Sequence, residues 1–167
     1  MAECIAMVRH EEHHMCGVGM VLDRQATEAL VGWQPINDRI ITARFHAPQV
    51  KTTRVQVYAP TEDTTDTDKD TFYDQLQDTI NKIPRHDVII FMGDLNAQID
   101  NNRQGLEHGT ARQTNDNGVQ LLLFCNSNGL CVSNTYFPHK NFNKNTWRSP
   151  TGNVYTTSVS TNNGGRR

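Results

Sequence analysis

The chain has 167 residues, of which 36% are apolar and 20% are charged, and its formal net charge is −2. The length and apolar content suit one domain with its own core and exclude a disordered chain, while the near-neutral charge carries no overall nucleic-acid signature. The four cysteines lack zinc-knuckle spacing, and no segment is apolar enough to span a membrane, so we expect an intracellular protein, nuclear or cytoplasmic, with free and mostly buried thiols.

The pattern of apolar residues predicts seven strands and two helices. In chain order, the strands are expected at 15–23, 39–45, 53–59, 88–94, 130–133, 146–148 and 154–159. Helical spacing predicts one helix that ends at Pro84, after an acidic, Thr-rich loop at 61–70 that caps it, and a second that Asp116 or Asn117 caps and Gly129 closes. This order of elements predicts a mixed α/β layered domain.

The most informative stretch is 88–96, an apolar run that ends in Gly93, Asp94, Leu95 and Asn96. The run predicts a strand buried on both faces, and the glycine permits a sharp turn where it ends. Asp94 and Asn96 stand two positions apart, so on an extended backbone their side chains point the same way. A carboxylate and an amide at the rim of a sheet can bind a cation or orient a water, although these residue types also favour a simple turn.

Charge is distributed unevenly along the chain. Residues 119–167 contain no Asp or Glu and carry a charge of about +5, which leaves about −7 on the rest. Within this stretch, aromatic residues alternate with bases and amides from 134 to 152. Trp147 is expected to stack on bases or sugars, and the neighbouring cations are expected to contact phosphate: Lys140, Lys144 and Arg148. The alternative is a surface loop whose rings plug the sheet.

A competing motif near the N-terminus fits the zinc-binding pattern of a metalloprotease. His10 and His14 would be ligands on one helical face, and Glu11 would act as the base. The third ligand of the longer form of the motif would fall on Met20, and a short match arises easily in a His-rich patch. Zinc proteolysis is therefore a minor alternative.

Several motifs occur in a characteristic order. They are Val-Tyr-Ala-Pro-Thr (57–61), Phe-Tyr-Asp-Gln-Leu (72–76), Gly-Asp-Leu-Asn-Ala (93–97), Asn-Asp-Asn-Gly (115–118), Asn-Thr-Tyr-Phe-Pro-His-Lys (134–140) and Thr-Trp-Arg-Ser-Pro (146–150). The series resembles the endonuclease/exonuclease/phosphatase superfamily, and within it the endonuclease domains of LINE-type retrotransposons. The likeness covers residues 15–153, so we expect 1–14 to be a segment outside the family domain and 154–167 to be a polar tail.

The resemblance implies a DNase I-like α/β sandwich, in which two packed β-sheets are flanked by helices. It also implies hydrolysis of phosphodiesters, here on DNA, with Mg²⁺ or Mn²⁺. In this chain, Asp94 would bind the metal and orient or deprotonate the attacking water, and Asn96 would hold a phosphate oxygen or that water. Tyr58 would contact the phosphate and steady the transition state, and Trp147 would stand near the substrate groove.

The chain departs from the family pattern at both ends. The family's opening strands carry an Asn and a metal-binding Glu, and its closing strands carry an Asp and a Ser-Asp-His motif, for which we find no counterparts. We therefore expect an incomplete domain with doubtful Mg²⁺ affinity, weak or absent hydrolysis, and exposed sheet edges where a partner chain or a second copy pairs. A non-catalytic nucleic-acid-binding remnant is the alternative function.

Overall fold

The structure, a computed structural model, describes residues 3–9, 17–99, 114–132, 147–148, 155–156 and 161–162. In chain order its elements are β1 (Glu3–Arg9), β2 (Gly17–Leu22), α1 (Arg24–Ala29), β3 (Leu30–Asn37), β4 (Ile40–His46), β5 (Lys51–Tyr58), α2 (Asp66–Lys82), β6 (Val88–Asp94), α3 (Asp116–Ser127), β7 (Cys131–Val132), β8 (Trp147–Arg148), β9 (Tyr155–Thr156) and β10 (Thr161–Asn162). None of the helices in these ranges is long and apolar enough to cross a membrane.

Six strands form the central sheet, in the order β3-β4-β5-β6-β10-β7. Strands β3, β4 and β5 pair antiparallel, whereas β5 and β6 run parallel and therefore end at the same edge. The register places Tyr58 opposite Asp94, and we call the edge that these two residues mark the carboxyl edge. The β1–β2 hairpin forms a separate two-stranded sheet, as does the β8–β9 pair.

The central sheet carries a cluster of buried side chains on each face. Helices α2 and α3 cover one face, where they pack on strand residues such as Val55 and Phe91. Strand β2 covers the other face and packs its alternate buried residues against Ile41 and Phe45. Ile40 and Ile41 belong to different clusters because successive side chains of a strand point to opposite faces. The layered α/β architecture predicted from the sequence is confirmed.

Helix α2 ends just before Pro84, as predicted, but it begins at Asp66, inside the acidic, Thr-rich stretch 61–70 that is expected to be a loop. The side chain of Thr65 accepts a hydrogen bond from the backbone N–H of Asp68, and both Asp66 and Asp68 lie in the first turn, at the positive end of the helix dipole. The helix ends at Lys82, since Pro84 cannot continue it. Its buried face presents apolar residues at helical spacing to the sheet: Phe72, Leu76 and Ile80.

Two details of the predicted elements are corrected. Helix α3 is capped by Asn115, not by Asp116 or Asn117, because the Asn115 side chain accepts the backbone N–H of Gly118 at 2.9 Å. Strand β6 is not fully buried on both faces: alternate residues such as Ile89 are buried, and those between them are half-buried. The reason is that the helices cover only one face of this strand completely, as the membership of the larger core cluster shows.

Four elements are absent from the predicted set. Helix α1 has no buried residue, and β3 lies at the end of the sheet with most of its residues exposed, so neither carries an amphipathic pattern. Strand β1 lies in the segment expected to stand outside the family domain, where it pairs with β2. Strand β10 occupies two residues of the expected polar tail and pairs with both β6 and β7.

Among the described side chains, the cysteines form no disulfide bond. Cys125 is buried in α3, and Cys131 is half-buried in β7. Burial raises the pKa of Cys125 to about 12, with a smaller contribution from nearby Cys131, so Cys125 is a neutral core side chain. The side chains of Cys4 and Cys16 lie outside the described part of the structure.

Candidate active site at the carboxyl edge

The structure brings three of the predicted site residues together. Tyr58 and Asp94 close adjacent parallel strands, and the backbone N–H of Ala59 donates to the carbonyl of Asp94 at 2.8 Å. The Asn96 side chain donates through Nδ2 to the carbonyl of Ala59, also at 2.8 Å. The chain segments that leave β5 and β6 are therefore joined by hydrogen bonds, and the side chains of all three residues are half-buried at the carboxyl edge.

The backbone between the two polar residues turns rather than continuing as a strand. Asn96 has φ +47°, so the extended backbone expected from Asp94 to Asn96 is wrong. The physical reason is that Asn tolerates the left-handed region, and here Asp94 Oδ1 accepts the Asn96 N–H at 2.9 Å to form an Asx turn. Leu95, between them, is buried instead.

Gly93 is required by the close approach of β5. Its φ is +123°, and a Cβ at this position would lie 2.0 Å from the carbonyl oxygen of Val57. No side chain fits at that distance, so glycine is needed here for the close approach of the two strands. Gly93 thereby lets Asp94 sit directly beside Tyr58.

The donor atoms at the edge suit a hard cation. One carboxylate oxygen of Asp94 accepts the backbone N–H of Asn96, and Nδ2 of Asn96 donates to the carbonyl of Ala59. The second Asp94 oxygen and Asn96 Oδ1 are therefore the atoms able to face a ligand. Carboxylate and amide oxygens are the ligands that Mg²⁺ and Mn²⁺ prefer. No group of three or more His, Cys, Asp or Glu suited to a metal occurs within the described ranges.

Arg39 is a site residue that the sequence analysis missed. Its Nη1 donates to the carbonyl of Tyr58 at 3.2 Å, its guanidinium carbon lies 5.5 Å from the centre of the Tyr58 ring, and its own carbonyl accepts the Tyr58 N–H at 2.9 Å. The available signal was strand pairing, because antiparallel pairing of 39–45 with 53–59 puts Arg39 near Tyr58. A cation thus stands beside the predicted phosphate-contacting phenol.

Side chains at the N-terminus of α3 bond to the chain segments that follow β5 and β6. Asn117 is 2% exposed, and its Nδ2 donates both to the carbonyl of Pro60 at 3.0 Å and to the carbonyl of Asn96 at 3.2 Å. Asn115 Nδ2 donates to the same Asn96 carbonyl at 3.2 Å and to Glu62 at 2.7 Å. The loops after β5 and β6 are therefore held to one another through two amide side chains.

Further contacts fix this helix end in place. A Cβ on Gly118 would lie 2.2 Å from the carbonyl of Gln98, so the helix backbone touches the segment that follows β6. Lys69 of α2, which is 3% exposed, makes an ion pair with Asp116 at 3.0 Å. Burial opposes the charge of Lys69, but the hydrogen bond to Asp116 and the nearby Glu62 outweigh it and raise the pKa of Lys69.

The described part of the structure does not place the side chains of the other predicted site residues at the carboxyl edge. Lys140 and Lys144 lie outside the described residues, as does the His10–His14 zinc motif. Trp147 and Arg148 form β8, whose backbone pairs with β9. Their side chains lie outside the described part of the structure, so their predicted roles at the substrate stay predictions.

Comparison with known sequences finds the same relative in two species. The chain is 33% identical to craniofacial development protein 2 of Bos taurus over 140 residues. The aligned part covers 81% of this chain and 23% of that protein. It is 32% identical to craniofacial development protein 2 of Tragulus javanicus over 140 residues, 81% of this chain and 24% of that protein. The chain thus spans less than a quarter of the length of these curated relatives. No protein-family profile matches it.

Comparison with solved structures identifies the fold. The endonuclease domain of TRAS1, a telomere-specific non-LTR retrotransposon, superposes with a TM-score of 0.65 at 13% identity, over 96% of this chain and 64% of that one. An endonuclease/exonuclease/phosphatase family protein from Leptotrichia buccalis C-1013-b superposes with a TM-score of 0.56 at 11% identity, over 98% of this chain and 60% of that one. At these identities the similarity establishes the fold alone.

Proposed function

Since the chain has the DNase I-like fold of the endonuclease/exonuclease/phosphatase proteins, we propose that it is a Mg²⁺-dependent phosphodiesterase of the endonuclease type that acts on DNA. The observation that carries the proposal is the meeting of Tyr58, Asp94 and Asn96 at the carboxyl edge. DNA is the substrate we favour because the TRAS1 domain is an endonuclease of a retrotransposon.

Each of the three side chains has a chemical task in this proposal. Asp94 orients the attacking water and accepts its proton, through the carboxylate oxygen that does not bond to Asn96. Asn96 already donates through Nδ2 to the carbonyl of Ala59. We therefore assign the attacking water, rather than a phosphate oxygen, to Asn96, which holds it through Oδ1. The phenol of Tyr58 donates to a phosphate oxygen, where negative charge grows in the transition state.

A bound Mg²⁺ would polarise the phosphate and lower the pKa of its water, with Asp94 as its protein ligand. Glu62 also follows β5, but its carboxylate accepts hydrogen bonds from the backbone N–H groups of Asp116 and Asn117 and so serves the helix instead. Mg²⁺ held through one carboxylate keeps most of its waters and binds weakly. We therefore expect slow hydrolysis by this chain alone.

A plasmid-nicking assay tests the proposal. The purified chain, in excess over supercoiled DNA, should nick slowly with Mg²⁺ and stop when the metal is chelated. Asp94→Ala should lower the rate constant by about 100-fold or more, because the water loses its base. Asp78→Ala is the matched control, since Asp78 is an exposed carboxylate on α2 and should leave the rate unchanged. Nicking that is absent from the native chain, or that survives Asp94→Ala, contradicts the proposal.

Non-catalytic binding of nucleic acid is the second candidate function, and the charge of residues 119–167 favours it. Contacts between Lys or Arg and phosphate release counterions, so the affinity for DNA should fall steeply with salt. Lys140→Ala and Arg148→Ala should each reduce the slope of log K against log salt by about 1 if each cation contacts one phosphate. Lys82→Ala is the control, because Lys82 lies on the exposed side of α2. An affinity for DNA that does not change with salt would exclude binding through phosphate contacts.

A further inference from the structure

Asn117 connects both loops of the proposed site without reaching the catalytic side chains itself. Its single Nδ2 group donates to the carbonyls of Pro60 and Asn96, one in the segment after β5 and the other in the segment after β6. A buried amide with 2% exposure cannot exchange these partners for water. The relative position of the two segments therefore depends on this side chain.

The backbone that Asn117 holds is an unusual one. Among the described residues, Asn96 is the one non-glycine residue with a positive φ, at +47°. Such a conformation is unfavourable for an L residue and persists only where the surroundings fix it. Here Asn96 is fixed at three atoms: its N–H bonds to Asp94, its Nδ2 to Ala59, and its carbonyl accepts from both Asn115 and Asn117.

The position of Asn117 is in turn determined by the anchored end of α3. Asn115 caps the helix, Glu62 accepts the backbone N–H groups of Asp116 and Asn117, and Lys69 bonds to Asp116. The helix end is thus tied to α2 and to the loop after β5. It forms a rigid support on which Asn117 reaches the Asn96 carbonyl.

We propose that Asn117 is a positioning residue of the phosphodiesterase site. It fixes the left-handed backbone of Asn96 and thereby aims Asp94 and Asn96 at the same water. The kinetic part of this inference rests on the proposed function, whereas the conformational part does not. Neither atom of the Asn117 amide is placed at the substrate, so its effect is transmitted through Asn96.

Two substitutions test the role. Asn117→Ala removes the amide, while Asn117→Asp keeps the volume and suits the first turn of a helix but, as a carboxylate, can donate to neither carbonyl. Asn128→Ala is the matched control. Asn128 lies at the other end of α3, is 7% exposed, and donates through Nδ2 to the Phe124 carbonyl and to Gln77, far along the helix from the carboxyl edge.

The first measurement is the backbone NMR spectrum, since carbon and amide shifts report the φ of Asn96. Both Asn117 variants should move the Asn96 signals away from left-handed values, and Asn128→Ala should leave them in place. The second measurement is the nicking rate constant at saturating protein. It should fall about tenfold or more in the Asn117 variants, with half-saturation changed less than about twofold, because misaimed groups slow chemistry rather than binding.

The outcomes separate this inference from the proposed function. Unchanged Asn96 signals in both Asn117 variants overturn the positioning role, whatever the rate does. Equal rate losses in the Asn117 variants and in Asn128→Ala also overturn it, because they would reflect lower stability alone. If the native chain does not nick DNA, the proposed function fails, and the Asn96 signals alone decide whether Asn117 holds this backbone.

Discussion

At the scale of single residues, the carboxyl edge depends on backbone geometry as much as on side-chain chemistry. Gly93 admits the carbonyl of Val57, and Asn96 adopts a left-handed conformation that turns the chain back over Ala59. The sequence identifies the carboxylate and the amide as candidates. Their directions, however, depend on a turn that the strict alternation of an extended strand does not produce.

Arg39 provides a prediction at the same scale. Its guanidinium stacks on Tyr58, just as Arg54 stacks on Phe45 at 4.7 Å from the ring centre. Each contact is a cation–π interaction at a partly exposed site, so Arg39→Ala and Arg54→Ala should each lower the free energy of unfolding by roughly 0.5–1 kcal/mol. Only Arg39→Ala should also slow nicking, because it releases the phenol that we propose contacts phosphate.

Urea unfolding and the nicking assay measure the two effects of Arg39. Arg39→Lys keeps the charge but loses the planar, stacked group, so it should restore little of the rate. A rate loss of equal size in Arg54→Ala would show that the Arg39 effect is general destabilisation. An unchanged rate in Arg39→Ala would remove Arg39 from the site.

At the scale of elements, patterns of burial determine which helices and strands can be predicted from the sequence. The body and the end of helix α2 are predictable because its apolar stripe and Pro84 agree, whereas its first turn lies among Asp and Thr residues that suit a loop equally well. The pair β5 and β6 is predictable because β5 alternates apolar and polar residues and β6 is an unbroken apolar run. Helix α1 and strand β3 are not predictable, because exposed elements have no apolar period and depend on the rest of the sheet for their formation.

The cap of α3 is misplaced in the prediction for a related reason. Asn115, Asp116 and Asn117 are all good cap residues by type, and propensity cannot choose among them. The choice is made by tertiary contacts, since the Asn115 side chain also accepts the backbone N–H of Gln98 at 2.7 Å. The same contacts explain why the site residue Asn117 shows no sign of its role in the sequence.

A comparison of the two helix caps follows from this geometry. Thr65→Ala removes a cap that serves α2 alone and should cost about 1 kcal/mol in the free energy of unfolding. Asn115→Ala removes a cap and the bonds to Gln98, Asn96 and Glu62, so it should cost about 2 kcal/mol or more. Urea denaturation of both variants gives the two values. Equal losses would show that the cross-loop bonds of Asn115 contribute little.

At the scale of the whole molecule, the two edges of the central sheet have different tasks. The carboxyl edge carries the proposed chemistry, and the opposite edge is held by an ion pair between distant parts of the chain. Arg44 of β4 donates to Asp87, just before β6, at 2.6 and 2.8 Å, and Thr53 of β5 donates to the same carboxylate at 2.8 Å. Asp87 thus joins three neighbouring strands, although in the sequence it is one acidic residue of a turn.

This cluster makes the stability of the fold depend on pH. The hydrogen bond from Arg44, and then that from Thr53, lower the pKa of Asp87 below its ordinary 3.8, against the opposing effect of burial. A carboxyl group whose pKa is lowered by folding stabilises the folded state above its unfolded pKa, and that contribution is lost as the pH falls through the folded value. The native chain should therefore keep the contribution of Asp87 at neutral pH and lose it progressively below about pH 4.

Urea midpoints measured between about pH 7 and pH 2.5 for the native chain, Asp87→Asn and Thr53→Val check this dependence. Asp87→Asn should be less stable at neutral pH, because it leaves Arg44 without its counter-ion, and the gap to the native chain should narrow in acid. Thr53→Val should lose one hydrogen bond but keep the ion pair, so its midpoint should still fall with acid. Parallel curves for the native chain and Asp87→Asn would show that other carboxyl groups cause the acid sensitivity.

Since Asp87 lies at the edge opposite Tyr58 and Asp94, nicking by Asp87→Asn at neutral pH should be preserved in the fraction that remains folded.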